Sequence, residues 1–135
     1  MSIDKFEVKS DLLYTKDHEW ARQREGGIEV GITAYAVDQL GDITLVNIDV
    51  REGETLEAGK PFGTIESVKT LSDLYSPVSG KVARINRELE TRPELVNEDC
   101  YGTAWMIVIE TSKPVNQDGL LSASAYSALL AADAH

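Results

Sequence analysis

Two histidines, one cysteine and a lysine set between apolar strands are the residues of this chain with chemistry to offer. His18 and His135 stand near opposite ends, and the second is the last residue. Nucleophilic catalysis would have to pair Cys100 with His18, but Cys100 reads as a small, partly buried loop thiol. A metal site would need carboxylates and histidines together. His18-Glu19 and Glu98-Asp99 are far apart in sequence and read as solvated loop residues. A lone cysteine also excludes an internal disulfide and a multi-cysteine metal site. No GxGxxG, P-loop or GxSxG string occurs. The chain does not read as an enzyme with its own active site.

Lys69 is the remaining candidate. It lies in GTIESVKTLSDLYSPVSGKV, residues 63–82, between strand-like Thr64–Val68 and a second apolar run over 70–74. The bland reading is a solvated turn lysine. Against it, a tight reversal between two apolar strands pushes the lysine outward. A rigid hairpin can then present one ε-amine to a modifying enzyme as a fixed landmark. The spacing predicts strands over 61–68 and 71–76 flanking a reversal at Lys69. The Pro77–Gly80 turn opens what reads as a second, similar strand pair, so that Lys69 would stand at the apex of a symmetric sandwich.

The elements that must hold this hairpin are mostly β. Residues 1–11 read as a loosely held polar arm. Gly26-Gly27 between two alternating runs signals a hairpin. Thr33 offers an N-cap and Gly41 a stop for a short helix over 33–40. ITLVNIDV alternates, which places Ile43, Leu45, Asn47 and Asp49 on one side and Thr44, Val46, Ile48 and Val50 on the other. Pro61 opens the next strand, where a missing N–H is tolerated. Residues 87–103 read as a polar loop, followed by the short apolar strand AWMIVIE. After Pro114 the texture becomes helical, with Leu120, Leu121, Tyr126, Leu129 and Leu130 as the stripe and Ser122 or Asp118 as caps. This tail, 114–135, is rich in Ala and is expected to pack shallowly. Trp20 and Trp105 read as core. The fold class is mainly β, a flattened barrel or sandwich with short helices and a C-terminal helical tail.

With 135 residues the chain suits one domain, 1–135. Thirteen basic against 23 acidic residues give a formal charge of −10. That disfavours a nucleic-acid or anionic-membrane partner and suits a basic protein partner. No apolar run approaches the roughly 20 residues of a membrane span. The N-terminus carries no apolar signal region, so a cytoplasmic location is expected.

ESVK followed by SDLYSPVSGKV closely resembles the lipoylation hairpin of the glycine cleavage system H-protein family. DHEW at 17–20, VGIT at 30–33, LGD at 40–42, GETLEAGKPFGTIESVK at 53–69, ELVNED at 94–99 and YGTAWMI at 101–107 extend the resemblance over about residues 12–112. It implies a non-catalytic carrier with the lipoyl-type flattened β-barrel, and lipoic acid in amide linkage to Lys69 as a swinging arm. It implies a lipoate-attaching enzyme as one partner, with Glu66 taking part in its recognition. It further implies three glycine cleavage partners: a decarboxylase, an aminomethyltransferase and a dihydrolipoyl dehydrogenase. Between them the arm carries an aminomethyl group and reducing equivalents. Glu19 and Asp73 match acids that line the cleft where the loaded arm folds back.

The chain also departs from the family pattern. Ala34 and Val37 stand in ITAYAVDQ, Asn47 in VNID, Cys100 before Tyr101 and Ala104 before Trp105. These positions are expected on surfaces beside the hairpin, where partner enzymes dock. A second reading follows from them: an H-like lipoate-binding protein serving a heterodisulfide-reductase-like complex of sulfur oxidation. A third is an unmodified β-sandwich interaction module.

Overall fold

The computed structural model describes residues 8–24, 26–111 and 120–133. Strands β1 (Leu13–Tyr14), β2 (Glu19–Arg24) and β3 (Gly27–Ile32) run consecutively and pair antiparallel. The β2–β3 hairpin pairs Arg24 with Gly27, so of the two glycines only Gly26 lies in the reversal and Gly27 opens β3. Helix α1 (Ala34–Leu40) follows at once, with the Thr33 side chain accepting from the Ala36 N–H and Gly41 closing its C-terminus. Then come β4 (Ile43–Ile48), β5 (Thr55–Leu56), β6 (Pro61–Ser67), β7 (Leu71–Tyr75) and β8 (Gly80–Ile85). Short helices α2 (Glu88–Thr91) and α3 (Leu95–Glu98), strand β9 (Ile107–Glu110) and helix α4 (Ala123–Asp133) complete the chain.

Two antiparallel sheets form. One has six strands in the order β1-β2-β3-β9-β8-β5, and the other has three in the order β4-β6-β7. The sandwich is therefore unequal, and the symmetric version expected with Lys69 at its apex does not occur. β6 and β7 form a direct hairpin, whereas β8 pairs with β9 only across a longer connection. The chain after β8 goes into α2 and α3 instead. The main core lies between the sheets, where Val30, Ile32, Val46, Ile65, Phe62, Leu74, Val82, Met106, Ile107 and Ile109 are buried.

Several expectations fail for identifiable reasons. Strict alternation over 43–50 breaks because the β4–β6 register shifts between Ile43 and Leu45. The bulge returns Ile43 to the core beside Val46 and Ile48, and leaves Leu45 outside. The 87–103 stretch is not a plain loop. Leu89 is buried in α2 and Leu95 and Val96 in α3, and these side chains draw the two helical turns onto the core. Helices are thus not confined to 33–40 and the tail.

A second apolar cluster joins Leu12, Tyr14, Trp20, Tyr101, Tyr126 and Leu130. It corrects the expectation of shallow packing in the tail. Tyr126 and Leu130 of α4 are fully buried, and Tyr126 stacks on Tyr14 with ring centroids 4.5 Å apart. Ser122 is the residue that caps α4, its hydroxyl accepting from the Ala125 N–H. Asp118 lies outside the described residues, as do 1–7 of the expected arm. Of that arm, Val8 packs on the second cluster and the Lys9 carbonyl accepts from the Tyr14 hydroxyl (2.7 Å). Trp20 is core, whereas Trp105 is only half-buried, with the Arg84 guanidinium 4.9 Å above its ring. No helix among the described residues is long and apolar enough to cross a membrane.

Candidate functional site

The β6–β7 hairpin places Lys69 at its tip, exposed to solvent. Three residues separate β6 from β7, and Ser67 pins the reversal. The Ser67 hydroxyl is buried and accepts from the backbone N–H groups of Lys69 (3.1 Å) and Thr70 (3.2 Å). The Ser67 N–H donates to the Thr70 carbonyl (2.8 Å). Serine suits this role because its short hydroxyl can serve its own following turn.

A second support comes from the α1–β4 connection. The Val68 N–H donates to the Asp42 carbonyl (3.0 Å). Asn97 of α3 clamps the same loop twice, its Nδ2 donating to the Gly41 carbonyl (3.0 Å) and its Oδ1 accepting from the Ile43 N–H (2.9 Å). Gly41 has a φ of 83°, and a Cβ there would lie 3.3 Å from Lys69 Cε. A glycine both permits that backbone and leaves room for the lysine stem.

From the Leu40–Gly41 end of α1 a cleft of about 310 Å³ runs along the helix. Its apolar walls are Ile32, Ala36, Leu40, Ile65 and Leu74, and its polar groups include Asp17, His18, Glu19 and Asp73. Lys69 stands by Gly41 at one end, and Tyr35 and His18 pack together at the other, ring centroids 4.7 Å apart. The residues from Tyr35 to Leu40 span about 8 Å of helix. The resemblance assigns Glu19 and Asp73 to one cleft, and both line this one.

Their environments differ. Asp73 is exposed, and its Oδ2 accepts from the Tyr75 hydroxyl (3.3 Å). The adjacent Asp73 carboxylate pushes the Tyr75 phenol pKa up. Glu19 opens β2 and is 2% exposed, so it is not the solvated loop acid expected from its neighbours. Burial raises its pKa to about 7. Two hydrogen bonds oppose that rise: Thr15 Oγ1 donates to Oε1 (2.6 Å) and the Tyr75 N–H donates to Oε2 (3.3 Å). Asp17 nearby adds a smaller upward push.

Glu66 does not line the cleft. It is exposed on the outer face of the three-stranded sheet, opposite Leu45 of β4 and Leu71 of β7. Cys100 is half-buried, and its carbonyl accepts from Trp20 Nε1 (3.0 Å). The departures from the family pattern do not form one surface. Ala104 is buried, Val37 packs against the core, and Asn47 alone of the five is exposed. No group of three or more metal-ligating side chains occurs among the described residues.

Residue types alone do not reveal several of the groups that shape this site. Ser67, Gly41 and Asn97 carry ordinary strand, stop and loop signals. His18 is the one non-glycine residue with positive φ, 72°, among those described. Its Nδ1 lies 2.8 Å from the Tyr126 hydroxyl, which in turn lies 2.7 Å from Thr33 Oγ1. The tail helix is thereby tied to the cleft wall and to the N-cap of α1.

A family profile described as glycine cleavage H-protein matches residues 12–133. The chain is 53% identical over 123 residues to the glycine cleavage system H protein of Oceanobacillus iheyensis, covering 91% of this chain and 97% of that one. It is 51% identical over 122 residues to the corresponding protein of Symbiobacterium thermophilum, covering 90% and 94%. The crystal structure of a glycine cleavage system H protein from Mycobacterium marinum superposes with a TM-score of 0.81 at 35% identity, over 92% of this chain and 99% of that one. These relatives give no support to the sulfur-oxidation alternative. The profile match over nearly the whole chain, the shared fold and the lysine-bearing hairpin make this chain a member of the glycine cleavage H-protein family.

Proposed function

We propose that the chain, acting as one carrier domain, bears lipoate in amide linkage to Lys69 and serves the glycine cleavage decarboxylase, aminomethyltransferase and dihydrolipoyl dehydrogenase. The observation that carries this is an exposed lysine on a doubly pinned hairpin, its stem beside Gly41, which follows the cleft-lining Leu40, and a cleft there with apolar walls and carboxylates. When bound, the lipoyl group supplies a dithiolane that carries an aminomethyl group and reducing equivalents between enzymes. The chain's own residues supply the rest.

Lys69 is the nucleophile for attachment. Its neutral amine forms the amide with an activated lipoyl carboxyl carbon, the donor's leaving group departs, and the nitrogen gives up a proton. Gly41 leaves clearance for the lysine stem. Ile65, Leu74, Leu40 and Ile32 offer a dry wall to a hydrocarbon chain. Asp73 and Glu19 offer carboxylates to a cationic amine, and a cation beside Glu19 favours its ionised form. The chain itself performs no bond making on the cargo, which fits a carrier without its own active site.

The test is an intact-mass measurement after incubation with a lipoate-attaching enzyme, lipoate and ATP. One lipoyl increment is expected, mapped to Lys69 and absent in Lys69→Ala. Turnover follows when the modified chain is added to a complete set of glycine cleavage enzymes. An unmodified chain would return the protein to a plain interaction module. Modification at another lysine would remove Lys69 from the site.

A further inference from the structure

The buried Glu19 carboxyl is held by two neutral donors. Thr15 Oγ1 donates to Oε1 (2.6 Å) and the Tyr75 N–H donates to Oε2 (3.3 Å). Thr15 has no freedom in this. Its hydroxyl oxygen accepts from the N–H groups of Asp17 (3.2 Å) and Glu19 (3.1 Å), so both lone pairs are taken and its one proton goes to Glu19. The backbone fixes the same turn, with the Thr15 N–H donating to the Glu19 carbonyl (2.9 Å) and the His18 N–H to the Thr15 carbonyl (3.1 Å). Oε1 is therefore a committed acceptor, and a carboxyl proton belongs on Oε2. A second cavity, of about 430 Å³, shares Asp17 and Glu19 with the cleft. Thr15 lines that cavity and not the cleft, so it reaches a cleft occupant through Glu19.

We propose that Thr15 is a positioning residue: by occupying Glu19 Oε1 it leaves Oε2 as the one atom that takes up a proton or meets the ammonium group of the loaded arm. This rests on the lipoyl-carrier reading, to which the contact between arm and Glu19 belongs, and the part of Thr15 is additional to it. No covalent bond to carbon changes. An ammonium group that meets ionised Glu19 forms an ion pair, and one that meets protonated Glu19 displaces the carboxyl proton to water. Burial is the largest influence on Glu19 and favours the acid, and the Thr15 hydrogen bond is the largest that opposes it. The other titratable and charged groups around Glu19 are Lys16, Asp17, His18, Asp73 and Tyr75, which line one or both cavities, and Tyr126, whose hydroxyl lies 2.8 Å from His18 Nδ1. The bonds to the carboxyl come instead from Thr15 and from the Tyr75 backbone.

The first measurement is a carbon NMR titration of the Glu19 carboxyl in the full chain without lipoate, where the wild-type midpoint is expected at about 7. Thr15→Val keeps the shape and removes the hydroxyl, and the midpoint should rise by about one pH unit. Thr15→Ser restores the donor and should titrate with wild type. Matched thermal melts check folding, and Thr15→Ala serves if valine is not tolerated. The second measurement loads the lipoylated chain with a glycine decarboxylase and glycine, removes the enzyme, and follows loss of the aminomethyl mass increment. At neutral pH Thr15→Val should lose it several-fold faster than wild type, and Thr15→Ser at the wild-type rate. The gap should close towards about pH 9, where Glu19 is ionised in both chains. In a Glu19→Gln background, Thr15→Val should change the rate by less than about twofold. An unmoved midpoint overturns the proposal. So does a rate that stays raised at every pH or in the Glu19→Gln background, which would make Thr15 a structural residue only. If the wild-type chain gains no lipoyl group or no aminomethyl increment, the carrier reading itself fails and takes this inference with it, whatever the midpoint does. A normal increment with an unmoved midpoint removes this inference alone.

Discussion

Glu19 is a carboxyl that holds its proton near neutrality because folding takes it out of water. Its folded pKa of about 7 lies above the ordinary 4.5, so the folded state binds the proton more tightly than the unfolded chain. Between those values stability falls as pH rises, and above about 7 the loss is complete. The full penalty is up to about 3 kcal/mol, since each pKa unit is about 1.4 kcal/mol. Gln at this position mimics the protonated acid. In thermal unfolding, Glu19→Gln should match wild type below about pH 4.5 and gain on it steadily towards pH 7. An identical pH dependence in the two proteins would show that Glu19 is ionised at an ordinary pKa. The same variant should carry the aminomethyl-loaded arm less well, because the cleft then loses its one buried carboxyl and keeps only the exposed Asp17 and Asp73.

Two elements far from the hairpin in sequence hold the site in place. α3 is a single turn, yet its Asn97 joins Gly41 to Ile43, and the Asp42 carbonyl between them receives Val68. Asn97→Ala should cost about 1–2 kcal/mol in chemical denaturation. Hydrogen exchange should quicken at Ile43 and Val68 more than in β8 and β9. Uniform exchange changes would make Asn97 a general stabiliser rather than a hairpin support. α4 acts on the other wall. Tyr126 has its pKa pushed up chiefly by burial, and its hydroxyl sits between Thr33 and His18. Tyr126→Phe keeps the stacking on Tyr14 but removes both contacts, at a cost of about 1–2 kcal/mol. The His18 ring resonances should broaden or shift in the variant. An unshifted His18 spectrum would show that the tail helix does not anchor the cleft.

Across the whole molecule, charge sets how partners arrive. Amidation of Lys69 would remove its cation and move the formal charge from −10 to −11 by subtracting one. An acidic carrier meeting basic enzymes gains association rate at low salt and loses it when the Debye length shrinks. Raising salt from about 0.05 to 0.5 M should increase the KM of attachment several-fold, and Glu66→Gln should flatten that dependence. A salt-independent KM would show that charge does not steer the encounter. The positions where this chain departs from the family pattern bear on the same question. Ala104 and Val37 face the core, and only Asn47 among the five is exposed. Rates with glycine cleavage enzymes should therefore stay within about tenfold of an ordinary H protein, contrary to a broad loss of docking.

Local signals carried much of this protein. The Gly26-Gly27 hairpin, the Thr33 cap, the Gly41 stop and the β6–Lys69–β7 reversal are short-range features, each set by backbone preference within a few residues. The family motifs named Lys69, Glu66, Glu19 and Asp73 together. What neighbours decide was not legible. The β4 bulge depends on the strand it pairs with, and it moved Ile43 inward and Leu45 outward. Helices α2 and α3 form because Leu89, Leu95 and Val96 find a core to enter, and no long apolar period announces them. Burial of Glu19 and of the tail helix likewise comes from surfaces supplied by distant segments. Chain order could place one lysine at a turn. Only the packed sheets and helices decided that the turn stands near a cleft lined by two exposed carboxylates, Asp17 and Asp73, and one buried carboxyl, with two leucines left in water.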